Sequence, residues 1–235
     1  MPPIAAGTLA RVTVLLLIRH AHTDAAGRQL TGWARGVHLN ARGREESARL
    51  VERLEGVPIA AIYSSPLERC RETIAPLARS RGLPVHARRA LIEVDYGDWT
   101  GRSIAQARRT ALWRTIQQAP SAARFPGGES LLGVQERAVA EVRAIAQAHP
   151  RGAVAVVSHA DVIRLLVAHV AGMHADHLQR LIVDPASVSV VALGDGIPRL
   201  LRLNDTGDLT TLRPRGRGSP ERPRRPERPR RKLRG

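Results

Sequence analysis

The sequence predicts an α/β fold, a three-layer sandwich whose largely parallel central sheet is flanked by helices, and three observations carry that prediction. Val12 to Ile18 and Ala153 to Val157 are short, continuously apolar runs rich in β-branched residues, the pattern of strands buried on both faces. Between such runs lie segments whose apolar residues recur every three or four positions, the period of a helix. The two kinds of segment alternate along the chain, with Gly and Pro marking several of the boundaries, as in parallel sheets with helical crossovers.

After the first run, Ala41 to Glu55 carries Ala48, Val51 and Leu54 at helical spacing and meets stop signals at Gly56 and Pro58. Ile59 to Tyr63 is the next strand. Ser64-Ser65-Pro66 then reads as a cap and first turn for a helix bearing Leu67, Cys70, Ile74 and Leu77, which Pro76 is expected to kink or end. Leu83 to Ala87 is a brief strand, and Leu91 to Gly101 an acidic and aromatic loop. Two helices follow, Ser103 to Gln118 and Glu129 to His149, separated by Pro126-Gly127-Gly128; the second aligns Leu131, Val134, Ala138, Val142 and Ile145. Ser158-His159-Ala160-Asp161 leads from the second buried run into a helix ending near Met173. Ser187 to Leu193 and Arg199 to Leu203 are the closing strands, joined through Gly194-Asp195-Gly196.

The chain has 235 residues, with 37 Lys and Arg against 21 Asp and Glu, a net charge of +16. Residues 213–235 hold 11 of the basic residues and only Glu221 and Glu227. The basic character is therefore largely a property of this Arg/Pro-rich tail, expected to be disordered, while residues 1–212 are expected to form a single domain, the one that carries the chemistry read below. Such a tail can make non-specific contacts with anions or nucleic acid, although the absence of aromatic residues removes base stacking, and a solubilising extension is the preferred reading. The single cysteine, Cys70, rules out an intramolecular disulfide and a cysteine-only zinc site, which fits a reducing compartment. Val12 to Ile18 is far short of a membrane span and lacks a signal-peptide pattern, so the expected location is cytoplasmic with no membrane partner.

Chemistry concentrates where the two buried runs end. Leu17-Ile18-Arg19-His20 and Val157-Ser158-His159 each place a histidine at the strand edge where open α/β sheets bind ligands. Neutral imidazole is a nucleophile toward phosphorus, and a guanidinium offers paired donors to phosphoryl oxygens. Arg19 with His20 and His159 is thus a phosphoryl-transfer set.

These segments resemble the histidine phosphatase superfamily, in its phosphoglycerate mutase-like branch, from about Val12 to Asn204. The resemblance is carried by Leu17-Ile18-Arg19-His20-Ala21-His22-Thr23, by Tyr63 to Thr73, by Leu91 to Gly101, by Pro126-Gly127-Gly128-Glu129-Ser130 and by Val157-Ser158-His159, in the family's order. It implies a phosphoglycerate mutase-like fold and a covalent mechanism without metal or cofactor, in which His20 becomes phosphohistidine. Arg19 and Arg69 match the family's phosphate-binding arginines, His159 its second histidine, and Glu93 its general acid, preferred over Asp95 and Asp98 by motif register. Thr23 and Ala160 stand at further phosphate-contact positions.

Ala21 and Ala160 replace the glycines usual after each histidine, and Ala26 stands where an asparagine is common. If those sites need positive φ, the methyls carry strain, and restoring both glycines is expected to alter kcat. The implied partner is a small phosphorylated metabolite. Hydrolysis is favoured over a phosphoglycerate-type mutase because the Glu93 to His159 interval reads as helices with no extra basic insertion. A weakly active phosphate-binding protein attached to nucleic acid by its tail is the third reading. The oligomeric state stays open, a homodimer included.

Overall fold

The structure is a computed structural model that describes residues 12–207. The basic segment 213–235 lies outside the described residues. Strand β1 (Val12–Arg19) shows why an uninterrupted apolar run makes a central strand. Its side chains alternate faces: Leu15 and Leu17 enter one core with Val154, Val156 and Leu165, while Leu16 and Ile18 enter another with Leu50, Ile74 and Leu77.

The other elements are α1 (Ala41–Arg53), β2 (Ile59–Ser64), α2 (Glu68–Arg81), β3 (Val85–Ala87), α3 (Ile104–Ala107), α4 (Ala111–Gln118), α5 (Leu131–Ala148), β4 (Gly152–Ser158), α6 (Ala160–Val170), β5 (Val188–Gly194) and β6 (Arg199–Asp205). Among the described residues the sheet order is β3-β2-β4-β1-β5-β6. β3, β2, β4 and β1 run parallel, and β5 pairs antiparallel with both β1 and β6. Helices α1 and α2 cover one face and α5 and α6 the other, giving the expected three layers.

The register decides where the chemistry falls. Arg19 pairs with Ser158 and Ser64 with Val157, so β1, β4 and β2 end level at one edge. From there the chain crosses one way to β2 and, after β4, the other way to β5, leaving a crevice at the ends of β1 and β4.

Three local expectations are corrected. Pro76 neither ends nor breaks α2, which continues to Arg81. The proline removes the amide that would reach the Glu72 carbonyl and crowds that turn, but Ser47 Oγ on α1 donates instead to the carbonyls of Thr73 (2.7 Å) and Glu72 (3.2 Å). The helix expected over 103–118 is two helices, because Thr110 caps a new one, its Oγ1 accepting from the Trp113 amide at 3.1 Å. Finally, α2 opens at Glu68 with no side-chain bond from its N-cap residue Leu67, whose own amide bonds Ser65 Oγ at 3.4 Å.

Candidate active site

His20 and His159 follow β1 and β4 directly, and the backbone bond from the His20 amide to the Ser158 carbonyl (2.9 Å) holds them side by side. Their rings lie 5.3 Å apart, centroid to centroid, at 62°. A carbonyl only accepts, so the 2.8 Å contact between His20 Nδ1 and the Ala21 carbonyl places the ring proton on Nδ1 and leaves the lone pair on Nε2. Burial, reinforced by the charges of Arg19 and Arg69, holds the His20 pKa well below its ordinary value and keeps the ring neutral. His159 is fully buried and also pushed well below its ordinary value, by burial first and then by Arg69. Its Nε2 meets Ser65 Oγ at 2.8 Å and Cys70 Sγ at 3.5 Å, and Ser65 Oγ also accepts the Leu67 amide at 3.4 Å just ahead of α2.

Glu93 is 7% exposed and sits with His159, its Oε2 3.9 Å from His159 Nδ1. Burial, and then the charge of Asp161, pushes its carboxyl up to about 7 despite the Val94 amide bonded to Oε1 at 3.0 Å. A carboxylic acid titrating there can donate a proton near neutral pH.

A cavity of about 380 Å³ opens over this edge. Arg19, His20, Thr23, Glu93 and Ala160 all line it, as does Ala26. Arg69 and His159 lie behind the wall, and Arg69 is 1% exposed. Arg19 Nη1 donates to the Val183 carbonyl at 2.7 Å and Arg69 Nη2 to the Gly32 carbonyl at 2.8 Å. Each leaves its buried Nε without a hydrogen-bond partner among the described residues, so donor capacity is held in reserve beside His20. Thr23 Oγ1 is likewise without a protein partner there.

The strain anticipated for the two alanines is absent. Neither has positive φ; Ala21 packs its methyl against Leu39 and Ala186, and Ala160 begins α6. Asp95 and Asp98, the competing loop carboxylates, are outside the cavity lining. Asp95 Oδ1 accepts from the Gly97 amide, an ordinary turn contact. His22 pairs with Glu46 at 2.8 Å and His38 with Glu72, both away from the lining.

With this geometry, the family model of the histidine phosphatase superfamily (branch 1) matches residues 15–206. The chain belongs to the histidine phosphatase superfamily. Among its relatives is phosphoserine phosphatase 1 of Hydrogenobacter thermophilus, 28% identical over 197 residues that span 82% of this chain and 92% of the relative. The adenosylcobalamin/alpha-ribazole phosphatase of Escherichia coli is 29% identical over 195 residues, 81% of this chain and 95% of that protein. Bacillus stearothermophilus YhfR superposes with a TM-score of 0.77 at 30% identity, covering 82% and 97% of the two chains. Mycobacterial glucosyl-3-phosphoglycerate phosphatase gives 0.75 at 25% identity, covering 83% and 100%.

Within this histidine phosphatase several residues that shape the site escaped the sequence reading. The Glu93 carbonyl accepts both Trp33 Nε1–H (2.7 Å) and Arg137 Nη2–H (2.9 Å). Arg137 also bonds the carbonyls of Ala90 and Ile92 and makes a two-pronged pair with Glu129. Burial raises the Glu129 carboxyl, but Arg137 and the Asp95 amide outweigh it and leave the pKa lowered. Glu129, read from sequence as a helix-dipole residue, therefore joins the Glu93 loop to α5. That junction is close: a side chain at Gly97, where φ is +50°, would strike the Pro126 carbonyl, and one at Gly128 would strike the Asp95 carbonyl.

Proposed function

We propose that the protein hydrolyses small phosphomonoesters through a phosphohistidine on His20. His20 Nε2 attacks phosphorus as the bond to the alcohol oxygen breaks, and Glu93 gives its proton to that oxygen. Glu93, now a carboxylate, takes a proton from water as the water oxygen attacks phosphorus and the N–P bond breaks. Inorganic phosphate leaves and both residues return to their starting forms. Arg19, Arg69, His159, Thr23 and the start of α6 at Ala160 neutralise charge on the phosphoryl oxygens, the largest demand of phosphoryl transfer.

The observation that carries this reading is the pairing in one cavity of a neutral imidazole, its Nε2 lone pair fixed by the bond to Ala21, with a carboxyl that titrates near neutrality. The phosphatase names of relatives in two curated sequences and in a solved structure support it. The partner is accordingly a small phosphorylated metabolite. Among the described residues no helix is long and apolar enough to cross a membrane, and the lone buried thiol of Cys70 favours a reducing, cytoplasmic setting.

The test is hydrolysis of p-nitrophenyl phosphate with EDTA present, wild type against His20→Ala, between about pH 5 and pH 8. Turnover that vanishes in His20→Ala is expected. Equal turnover in the two proteins overturns the reading.

A further inference from the structure

Three tryptophans lie near the site, and they differ in what engages them. Trp33 donates its Nε1–H to Glu93 and has the Arg89 guanidinium 4.9 Å above its ring. Trp99 packs edge-on against Phe125 and is covered by Arg102. Trp113, in the first turn of α4, lines the cavity and is only half-buried. Among the described residues its ring has no aromatic or cationic partner and its indole N–H has no acceptor.

The surroundings of Trp113 are apolar. Leu30, Ile104, Ile116, Phe125 and Leu178 share the same cavity. At that end Asp161 pairs with Arg164 at 3.2 Å and accepts from Tyr96 Oη at 3.0 Å, the buried Arg164 Nε has no hydrogen-bond partner among the described residues, and Arg108 sits exposed at the rim. A volume of about 380 Å³ also far exceeds what a phosphoryl group fills, so most of the cavity serves the alcohol.

We propose that the α3–α4 wall, with the free face of Trp113 at its centre, is a leaving-group subsite for phosphomonoesters of alcohols that carry a planar aromatic ring. The proposal rests on the phosphatase reading above. A planar ring covers the indole face and gains burial against the apolar wall, and a ring heteroatom has the indole N–H to accept from. A small charged alcohol leaves the indole face and the apolar wall uncovered, whatever it gains from Arg164 Nε or from Arg108 at the rim.

The experiment compares 2-phenylethyl phosphate with ethyl phosphate, whose alkoxides leave comparably, and uses O-phosphoserine as a charged control. The expected result is a preference of about tenfold or more in kcat/KM for the phenylethyl ester, mostly lost in Trp113→Ala and largely kept in Trp113→Phe, with ethyl phosphate unchanged within about twofold. Ethyl phosphate or O-phosphoserine turned over as efficiently as the phenylethyl ester overturns the proposal, as does an equal loss on the ethyl and phenylethyl esters in a folded Trp113→Ala. If Trp113→Ala does not fold, Ile104→Ala replaces it with the same expectations. Calorimetric binding to His20→Ala separates the two readings: tighter binding of the phenylethyl ester than of ethyl phosphate upholds the subsite even if wild type shows no turnover, and equal binding refutes it.

Discussion

Arg137 on α5 donates from Nη2 to the backbone carbonyl of Glu93 at 2.9 Å, so the proposed proton donor is held by a guanidinium from the opposite end of the loop region. The same guanidinium fixes Ala90, Ile92 and Glu129. Arg137→Ala frees the loop and leaves several polar groups without partners. The expected outcome is a kcat loss of ten- to a hundredfold, in keeping with the roughly hundredfold cost of small misplacements, and a stability loss of about 2 kcal/mol in urea unfolding. Arg137→Lys recovers little, because one ammonium cannot reproduce the fork. Wild-type kcat in Arg137→Ala contradicts this role.

Glu93 titrates at about 7, raised first by burial and then by Asp161. The acid must be protonated to act, so kcat falls as pH rises through about 7, and Glu93→Gln flattens that limb while lowering the rate. His20 is held well below 6.5, so it stays a free base over the same range and contributes no loss near neutrality.

The same shift fixes a stability trend. Folding favours the protonated form of Glu93; that contribution is intact below the unfolded value of 4.5 and is lost as pH rises through about 7. Glu93→Gln removes the cost of burying a carboxylate. At about pH 8 it is expected to gain on the order of 2 kcal/mol, seen as a Tm raised by about 5 °C, with no gain at about pH 4. A gain of equal size at both pH values contradicts the assignment.

Ser47 and Pro76 are coupled through the Glu72 carbonyl, which the proline leaves without an amide and which Ser47 Oγ reaches at 3.2 Å beside its 2.7 Å bond to the Thr73 carbonyl. Ser47→Ala in wild type is expected to cost about 1 to 2 kcal/mol, since it leaves the Glu72 carbonyl without a donor and removes the bond to Thr73. In Pro76→Ala the helix amide returns, and the same serine replacement costs less by about 1 kcal/mol. A double-mutant cycle in urea measures the difference; strict additivity would show the two sites to be independent.

Ser65 faces His159 Nε2 at 2.8 Å. Ser65→Ala removes the ring's closest hydrogen-bonding partner and is expected to lower kcat by about tenfold, comparable to the loss of a positioning contact to a functional histidine, with little change in circular dichroism. Unchanged kcat would mean that His159 is held by packing alone.

The sheet and its two histidines were legible because both signals are local: an apolar run states its burial in its composition, and His20 and His159 sit directly at the run ends. Arg137, Trp33 and Ser47 were not, because each acts on backbone carbonyls, which every residue possesses and no motif distinguishes. Pro76 misled for the same reason, its compensation lying on another helix. Over residues 103–118 the apolar spacing runs on past Thr110, and only the hydroxyl's choice between capping and solvent decides that the helix breaks. Whether Ala21 and Ala160 carry strain in place of glycine depends on φ angles, which a sequence does not display.

The loop carrying Glu93 is dovetailed against residues 126–129 and tied down by Trp33 and Arg137. The proposed proton donor is therefore held by the frame of the fold. An ester that occupies the cavity with its bridging oxygen out of line finds the arginines but no proton, and it remains bound unconverted. On the proposed mechanism such compounds are expected to act as competitive inhibitors, so that a phosphorylated metabolite of slightly the wrong shape throttles turnover without itself being consumed.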